Sequence, residues 1–551
     1  MNEKIAVRYK NNVYDYDKNT TFLTISKDFK KDFRYEIIGV LVDNEIAELS
    51  EKLTRPCFVD FVDLKSNVGN RIYERGLIYL YMYSVKSVLG EDTLLQVENS
   101  IDKGVYTTVN KPLNQYNLLE IEKTMKKFVE DDIIFEKSTI LRKEAIKYFN
   151  SINRKDKADI LKYISNTYIT LYKFKNMYDY FYGEMPYSSG VLKDFKLDIV
   201  EDKGIVLSFP SVYSETTAIS YTHHNKLFNA FEEYREYQKR VGICSVSNLN
   251  ERVSSGAIGD LIRIDETMQN QNLLAIAKEI FERKDKIKLV LIAGPSSSGK
   301  TTTSKKIESY LSGFGLIPHA ISLDDFFKEK YETPKDENGN YDFESLNAID
   351  VELFNTTLEK LLNEEEVLLP TYNFIAGKKE YKKKLKIDGK DVLIVEGLHG
   401  LNEELTNKIA RDQKYKIYIS PLTNISVDNH NRIHMTDTRL IRRMIRDSRT
   451  RGYDAASTIK TWRDVRKGEE QYVFPFQDDS DYIFNTAFVY ELGVLKTYVE
   501  PLLFSVDVND PGYSEALRLI NFLRNFLPIP SDDVPSDSLL REFIGNSCFR
   551  L

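Results

Sequence analysis

The sequence predicts an α/β protein. A parallel sheet covered by helices makes up its C-terminal part, preceded by a small β-rich module and an α+β region. Three observations carry this reading. From Lys286 onward, apolar runs of strand length (KLVLIAG, HAISL, DVLIVEG, YKIYIS, DYIFN) alternate with helical patterns at 300–312, 350–363 and 436–449. Short, fully apolar strands alternating with helices indicate a parallel sheet buried on both faces. Residues 1–65 instead offer short alternating segments (KIAVRY, NVYDYD, IIGVLVDNEIAEL, CFVDFVDL), with a hairpin turn at Asp43-Asn44. Between these regions helical spacing runs over 70–90, closing on Gly90, and over 117–148 and 155–175. Two strands follow at 195–209, joined by Glu201-Asp202-Lys203-Gly204, then amphipathic helices at 222–240 and 266–284. The tail after Pro501 reads as one or two helices. These shifts set expected units at 1–65, 66–215, 216–285, 286–500 and 501–551.

Composition excludes several classes. The chain has 551 residues, 42% hydrophobic and 29% charged, which is ordinary for a globular protein and rules out a disordered chain or a collagen. The net charge of −7 argues against a general polyanion-binding surface, so nucleic-acid binding is expected to be absent or weak. Cys57, Cys244 and Cys548 are far apart and odd in number, giving neither a disulfide framework nor metal spacing; this fits a reducing cytoplasm. No apolar run approaches the ~18 residues of a membrane helix, and MNEKIAVRYK does not read as a signal peptide. Homo-oligomer formation is left open.

Residues 294–301, GPSSSGKT, fit G-x-x-x-x-G-K-[ST], and they stand where the mechanism requires, after a strand and opening a helix. Gly294 and Gly299 let the backbone curl so that N–H groups face phosphate oxygens, and the helix N-terminus adds partial positive charge. Gly294, Ser296, Ser297, Ser298, Gly299, Lys300, Thr301 and Thr302 are thus the expected nucleotide contacts. Lys300 can reach the β- and γ-phosphates, and the Thr301 hydroxyl can ligate Mg²⁺.

Two further strand ends carry acids. Asp324 and Asp325 follow AISL, and a carboxylate there can take the proton of an attacking hydroxyl. Glu396 ends DVLIVEG, where P-loop proteins place a Mg²⁺-associated acid. In TRLIRRMIRDSRTRG, Arg439, Arg442, Arg443 and Arg446 share one helix face, followed by Arg449 and Arg451. With only Asp447 among them, phosphates are the expected counter-ions. The basic run 378–386 reads as a solvated hairpin.

Taken together, GPSSSGKTT, SLDDFF, YDFESLNAID, LLPTYNF, DVLIVEGL, TRLIRRMIRDSRTRG and DYIFN make residues 286–500 resemble the uridine kinase family, within the uridine kinase/phosphoribulokinase group. The resemblance implies a P-loop kinase that uses ATP and Mg²⁺ to phosphorylate the 5′-hydroxyl of a nucleoside. It implies Asp324 as general base and Glu396 beside Mg²⁺. It places Glu344 and Arg443 at the ribose, Phe343, Tyr372 and Phe374 at the base, and Arg446 and Arg451 over the phosphates. Asp325 stands where the family usually has Ser; further departures are Glu344 for an Asp, Gly377 for a base-reading His and Tyr453 for a lid Arg, which weaken the expected choice of base.

The front of the chain resembles the TGS and second additional domains of threonyl-tRNA synthetases, through VDNEIAEL (42–49) and RIYERGLIYLYMYSVKSVLG (71–90). The paired editing histidines fall at Arg75 and Tyr79, no His precedes His223, and the Cys-containing partner motif is absent near YFYGEMPYSSG (180–190). The front half therefore reads as a binding or scaffolding module without hydrolytic chemistry, and a fragment of about residues 245–551 is expected to keep kinase chemistry if it stays soluble. Two other readings stay open: a P-loop kinase of another small alcohol or sugar phosphate, and a nucleotide-sensing regulator associated with tRNA or the ribosome.

Overall fold

The structure is a computed structural model and describes residues 3–200, 204–214, 216–217, 219, 221–335, 339, 341–373, 376–423 and 425–549. At the front, five strands stand in the order Asn12–Asp17, Lys4–Tyr9, Cys57–Asp63, Ile37–Val42, Glu45–Ala47. Asp43 and Asn44 both take left-handed backbone, φ 51° and 64°, as a two-residue hairpin turn demands. Helix α1 (Asn67–Leu89) starts on Ser66, whose side chain accepts the Gly69 N–H, and stops at Gly90, φ 104°. Its many apolar and aromatic side chains are wrapped by protein: by the helix Gln115–Glu130, by the strands Ile37–Val42 and Cys57–Asp63, and by a four-stranded sheet (Lys196–Val200, Gly204–Ser208, Gly104–Val109, Leu95–Ile101) and a three-stranded one (Met177–Asp179, Tyr168–Phe174, Glu136–Leu141).

Two helical expectations break here. The pattern over 117–148 resolves into helices Gln115–Glu130 and Arg142–Ser151 with the strand Glu136–Leu141 between them. The pattern over 155–175 holds only for Lys155–Lys162 before the strand Tyr168–Phe174. These strands pair with each other across the intervening helices, a long-range contact that outweighs local periodicity.

The C-terminal part is an α/β P-loop fold. Strands β1 (Leu289–Ala293), β2 (Ile317–Ser322), β3 (Asp391–Glu396), β4 (Lys414–Ser420) and β5 (Tyr482–Asn485) form one parallel sheet in the order β2-β3-β1-β4-β5. Helices α2 (Lys300–Gly313), α3 (Met435–Thr450) and α4 (Ala455–Tyr472) lie among those that cover it. Strands Val367–Asn373 and Lys378–Leu385 form the expected hairpin. Glu491–Phe504 continues through Pro501, and Tyr513–Leu523 and Arg541–Ile544 follow. Among the described residues no helix is long and apolar enough to cross a membrane.

The front half is bolted to this fold. One apolar core joins Phe149 and Ile160 through Leu273 and Ile276 to Val290, Ile417 and Phe543. The segment between β4 and α3 reaches back into the front half. Lys157, fully buried, holds Asp179 at 3.0 Å and Asp428 at 2.9 Å. Asp179 also meets His430, and Asn431 donates to Tyr180 O at 3.0 Å. Arg432 reaches Glu74 on α1, and Asp437 is shared by Arg71 and Arg518. Burial pushes the His430 pKa down to about 4, and although burial opposes it, the surrounding cations hold the Asp179 carboxyl well below the usual range. Cutting at 245 would take Lys157 from Asp428, Glu74 from Arg432 and Arg71 from Asp437, which keeps only Arg518. The risk to a soluble 245–551 fragment is therefore greater than an exposed apolar patch, because buried charges lose far more than a packing contact when one partner goes.

Candidate active site

The middle strands of the parallel sheet end level with one another. Glu396 of β3 pairs in register with Ile292 of β1 and with Ser322 of β2. The segments leaving those ends therefore meet at the carboxyl edge of the sheet, where open α/β folds bind ligands.

The loop after β1 is shaped by backbone constraints. A Cβ at Gly294 would stand 2.1 Å from Ile419 O, so no side chain fits there. Ser297 and Gly299 take positive φ, 61° and 90°, curling the loop around a hollow at the start of α2. The Ser297 and Ser298 hydroxyls are buried and find no hydrogen-bond partner among the described residues. Lys300 lies across the loop, donating to Gly294 O at 2.9 Å and to Pro295 O at 3.2 Å. Thr301 follows it in the first turn of α2, half-buried.

Two expected phosphate contacts are turned elsewhere. The Ser296 N–H donates to Glu469 at 2.8 Å, and its hydroxyl accepts from Arg443 at 2.8 Å. Thr302 is fully buried; its hydroxyl and N–H donate to Glu542 at 2.8 and 3.3 Å. Both carboxylates come from far along the chain, so the local motif carries no sign of them.

The acids converge on the same hollow. Asp324 is exposed to the cleft, yet protein surrounds it on most sides, and this burial raises its pKa against the pull of Lys300 and Arg451. Glu396 is pushed up to about 7 by burial, with Lys300 opposing and Asp324 adding repulsion. Glu344 is pushed up to about 7 by burial and by Glu469, against Arg443 and Lys300. Asp325 points away and accepts the Tyr372 N–H at 3.1 Å, tying the hairpin to the site. Lys300, Asp324, Glu344 and Glu396 thus lie within electrostatic reach of one another, joined by Arg443 and Arg451.

The arginine-rich helix splits into two sets. Contrary to the expectation of phosphate counter-ions, Arg439 pairs with Glu469 and Arg442 with Glu491, and all four side chains are buried. The periodicity showed one cationic face but not the acids that other elements bring to it. The second set faces the cleft around Asp447, which Arg443, Arg446 and Arg451 approach at 3.3, 2.9 and 3.6 Å.

Phe343, 37% exposed, meets Phe327 edge-on with ring centres 5.7 Å apart, and Tyr372 meets the same ring at 5.7 Å. Phe327 was not singled out from the sequence, although it stands three residues after Asp324. Phe374 lies outside the described residues. Gly377 has φ 63°, a backbone that disfavours the His of the resembled family, and Tyr453 is 56% exposed. The residues most clearly missed were Glu469, Glu491 and Glu542; no spacing rule points to them.

In the front half, Arg75 donates to Glu184 O at 2.9 Å and lies flush against Gly183. The Tyr79 hydroxyl is buried, 2.8 Å from Tyr172 O and 2.7 Å from Met177 O. Both side chains serve packing.

Known proteins match both halves. The profile of the phosphoribulokinase/uridine kinase family matches residues 289–491. A uridine kinase from Borrelia duttonii is 32% identical over 205 residues, 36% of this chain and 85% of that protein. The N-terminal region matches a threonine–tRNA ligase from Thermotoga neapolitana, 27% identical over 189 residues, 33% of this chain. This chain spans only 28% of that ligase's length. Among solved structures, a D-glycerate 3-kinase from Cryptococcus neoformans aligns over 49% of this chain and 89% of its own, at 17% identity and a TM-score of 0.22.

Proposed function

We infer, from the premise that this chain belongs to the phosphoribulokinase/uridine kinase family, that it transfers the γ-phosphate of ATP to the 5′-hydroxyl of a nucleoside. The observation that carries this is the gathering of Lys300, Asp324, Glu344 and Glu396 within electrostatic reach of one another at the carboxyl edge of the sheet, with Phe343, next to Glu344, and Tyr372 packed on Phe327. Buried hydroxyls at Ser297 and Ser298 and the curled backbone suit a bound phosphate chain.

In this reading the rings of Phe343 and Tyr372 hold the base, and Glu344 accepts hydrogen bonds from the ribose hydroxyls while Arg443 steadies it. Asp324 then faces the 5′-hydroxyl and takes its proton as the oxygen attacks. Lys300 swings from the loop carbonyls to the β- and γ-oxygens and follows the migrating group. Arg446 and Arg451, gathered on Asp447, stand ready to meet the charge that develops. Mg²⁺ would rest on Thr301, Glu396 and the phosphates, since it keeps water and needs few protein oxygens; when bound it neutralises phosphate charge. With Gly377 and Tyr453 in place of polar readers, discrimination among bases is weak.

The test is a panel of nucleosides with ATP and Mg²⁺, read as product monophosphate. At least one ribonucleoside should be phosphorylated, and Lys300→Ala should cut that rate by about a hundredfold or more. No product from any nucleoside, with a sugar or other alcohol phosphorylated instead, would sink the reading.

Two further outcomes concern Glu344. A Cβ at Gly468 would stand 2.8 Å from Glu344 Cβ. Gly468→Ala should therefore displace the carboxylate and raise the nucleoside KM by about tenfold, with the ATP KM little changed, as steady-state kinetics would report. The carboxyl, raised to about 7, gains its proton as pH falls through that value. Nucleoside KM should then rise from pH 8 to pH 6, and a flat profile would exclude the ionised Glu344 as the ribose acceptor.

A further inference from the structure

A cavity of about 590 Å³ lies at the seam between the front half and the P-loop fold, distinct from the cleft described above. Arg432, Arg439 and Arg466 line it, and each is at least nine-tenths buried. Each guanidinium gives one edge to a carboxylate: Arg432 to Glu74, Arg439 to Glu469, Arg466 to Glu469 and Glu470. Each also keeps a buried nitrogen (Nη1 of Arg432, Nη1 of Arg439, Nε of Arg466) with no acceptor among the described residues. These nitrogens are themselves closed off from the cavity; since a single unsatisfied buried donor costs about 1–3 kcal/mol, a small turn of the guanidiniums toward an anion there would relieve that cost.

Aromatic rings stand beside these donors. Arg439 lies over Trp462 at 5.2 Å, and Arg466 between Tyr213 at 5.4 Å and Phe474 at 5.0 Å. All three rings line the cavity. Guanidinium edges suit phosphate oxygens, and aromatic walls suit a flat base. The volume falls within the range of about 300–1,000 Å³ that small-molecule sites occupy.

We propose that this cavity binds a nucleoside phosphate and that its occupancy is relayed to the phosphate loop through Glu469. That carboxylate takes Arg439 and Arg466 from the cavity wall on one oxygen and the Ser296 N–H of the loop on the other. An anion in the cavity draws the two arginines toward itself. Glu469, less neutralised, then holds the Ser296 N–H more tightly and stiffens the loop against its own phosphate ligand. The relay rests on the reading of the loop as a phosphate-donor site; the binding does not.

The test uses the full chain and its Lys300→Ala variant. Each is titrated with the four common ribonucleoside triphosphates in turn, with tripolyphosphate and free uridine as controls, and read by hydrogen–deuterium exchange of segments 211–214 and 462–475. At least one nucleotide should protect these segments in both proteins, and Tyr213→Ala/Phe474→Ala should remove the protection. If that double variant does not fold, the Lys300→Ala result decides by itself. In the parent enzyme, a nucleotide that protects the cavity should raise the ATP KM at least threefold. Protection by no nucleotide, equal protection by tripolyphosphate, or protection lost with Lys300 would overturn the site. An unchanged KM would overturn the relay. A kinase that fails the nucleoside panel yet shows cavity protection would separate this proposal from the functional reading.

Discussion

Asn in place of Asp324 should lower turnover by about a thousandfold while leaving ATP affinity within about threefold. On the proposed reading, the amide keeps the shape of the carboxylate but cannot accept the proton of a nucleoside 5′-hydroxyl. Asp324 suits that task because it faces the cleft, within reach of Lys300 and Arg451, at a strand end level with Glu396. Asp325→Asn is the control. Its carboxylate accepts the Tyr372 N–H instead of facing the hollow, so its loss should loosen the hairpin and raise the nucleoside KM with a small change in turnover. Single-turnover kinetics on both variants separates the roles. If Asp325→Asn proves the more damaging to the chemical step, the two roles are exchanged.

The second large effect lies far from the chemistry. Lys157→Met should destabilise the whole chain by about 3–5 kcal/mol, because it takes their shared lysine from two buried carboxylates, Asp179 and Asp428. One apolar core runs through both halves, so the loss should appear as a single cooperative melting transition moved to lower temperature. Calorimetry is the direct measurement. Two separate transitions, with the kinase transition unmoved, would show the halves to be independent. Residues 245–551 expressed by themselves should be insoluble for the same reason.

How much of this was legible beforehand follows the range of the interactions. The phosphate loop could be read because its requirements are local: a strand, two glycines, a lysine and a helix start within a dozen residues. The acids at 324 and 396 could be read because strand ends in a parallel sheet share one edge. The partners of the arginines could not, since Glu469 and Glu491 stand 30 and 49 residues further along the chain and meet α3 only in the tertiary fold. Strands Glu136–Leu141 and Tyr168–Phe174 were hidden for a related reason. Each is short and flanked by helix, and its identity rests on a partner more than twenty residues away. Arg75 and Tyr79 stand where the resembled synthetase region has its paired histidines, and neither side chain serves as a base near neutrality.

The reach of the 428–437 segment into the front half also bears on how such a gene can change over time. Lys157 and Asp428, or Glu74 and Arg432, sit 271 and 358 positions apart in the chain yet act as single units. A crossover between them that joins halves of separate descent leaves one charge facing a stranger in a dry interior. Substitutions at these positions should then be tolerated best in matched pairs, which favours inheritance of the two halves together.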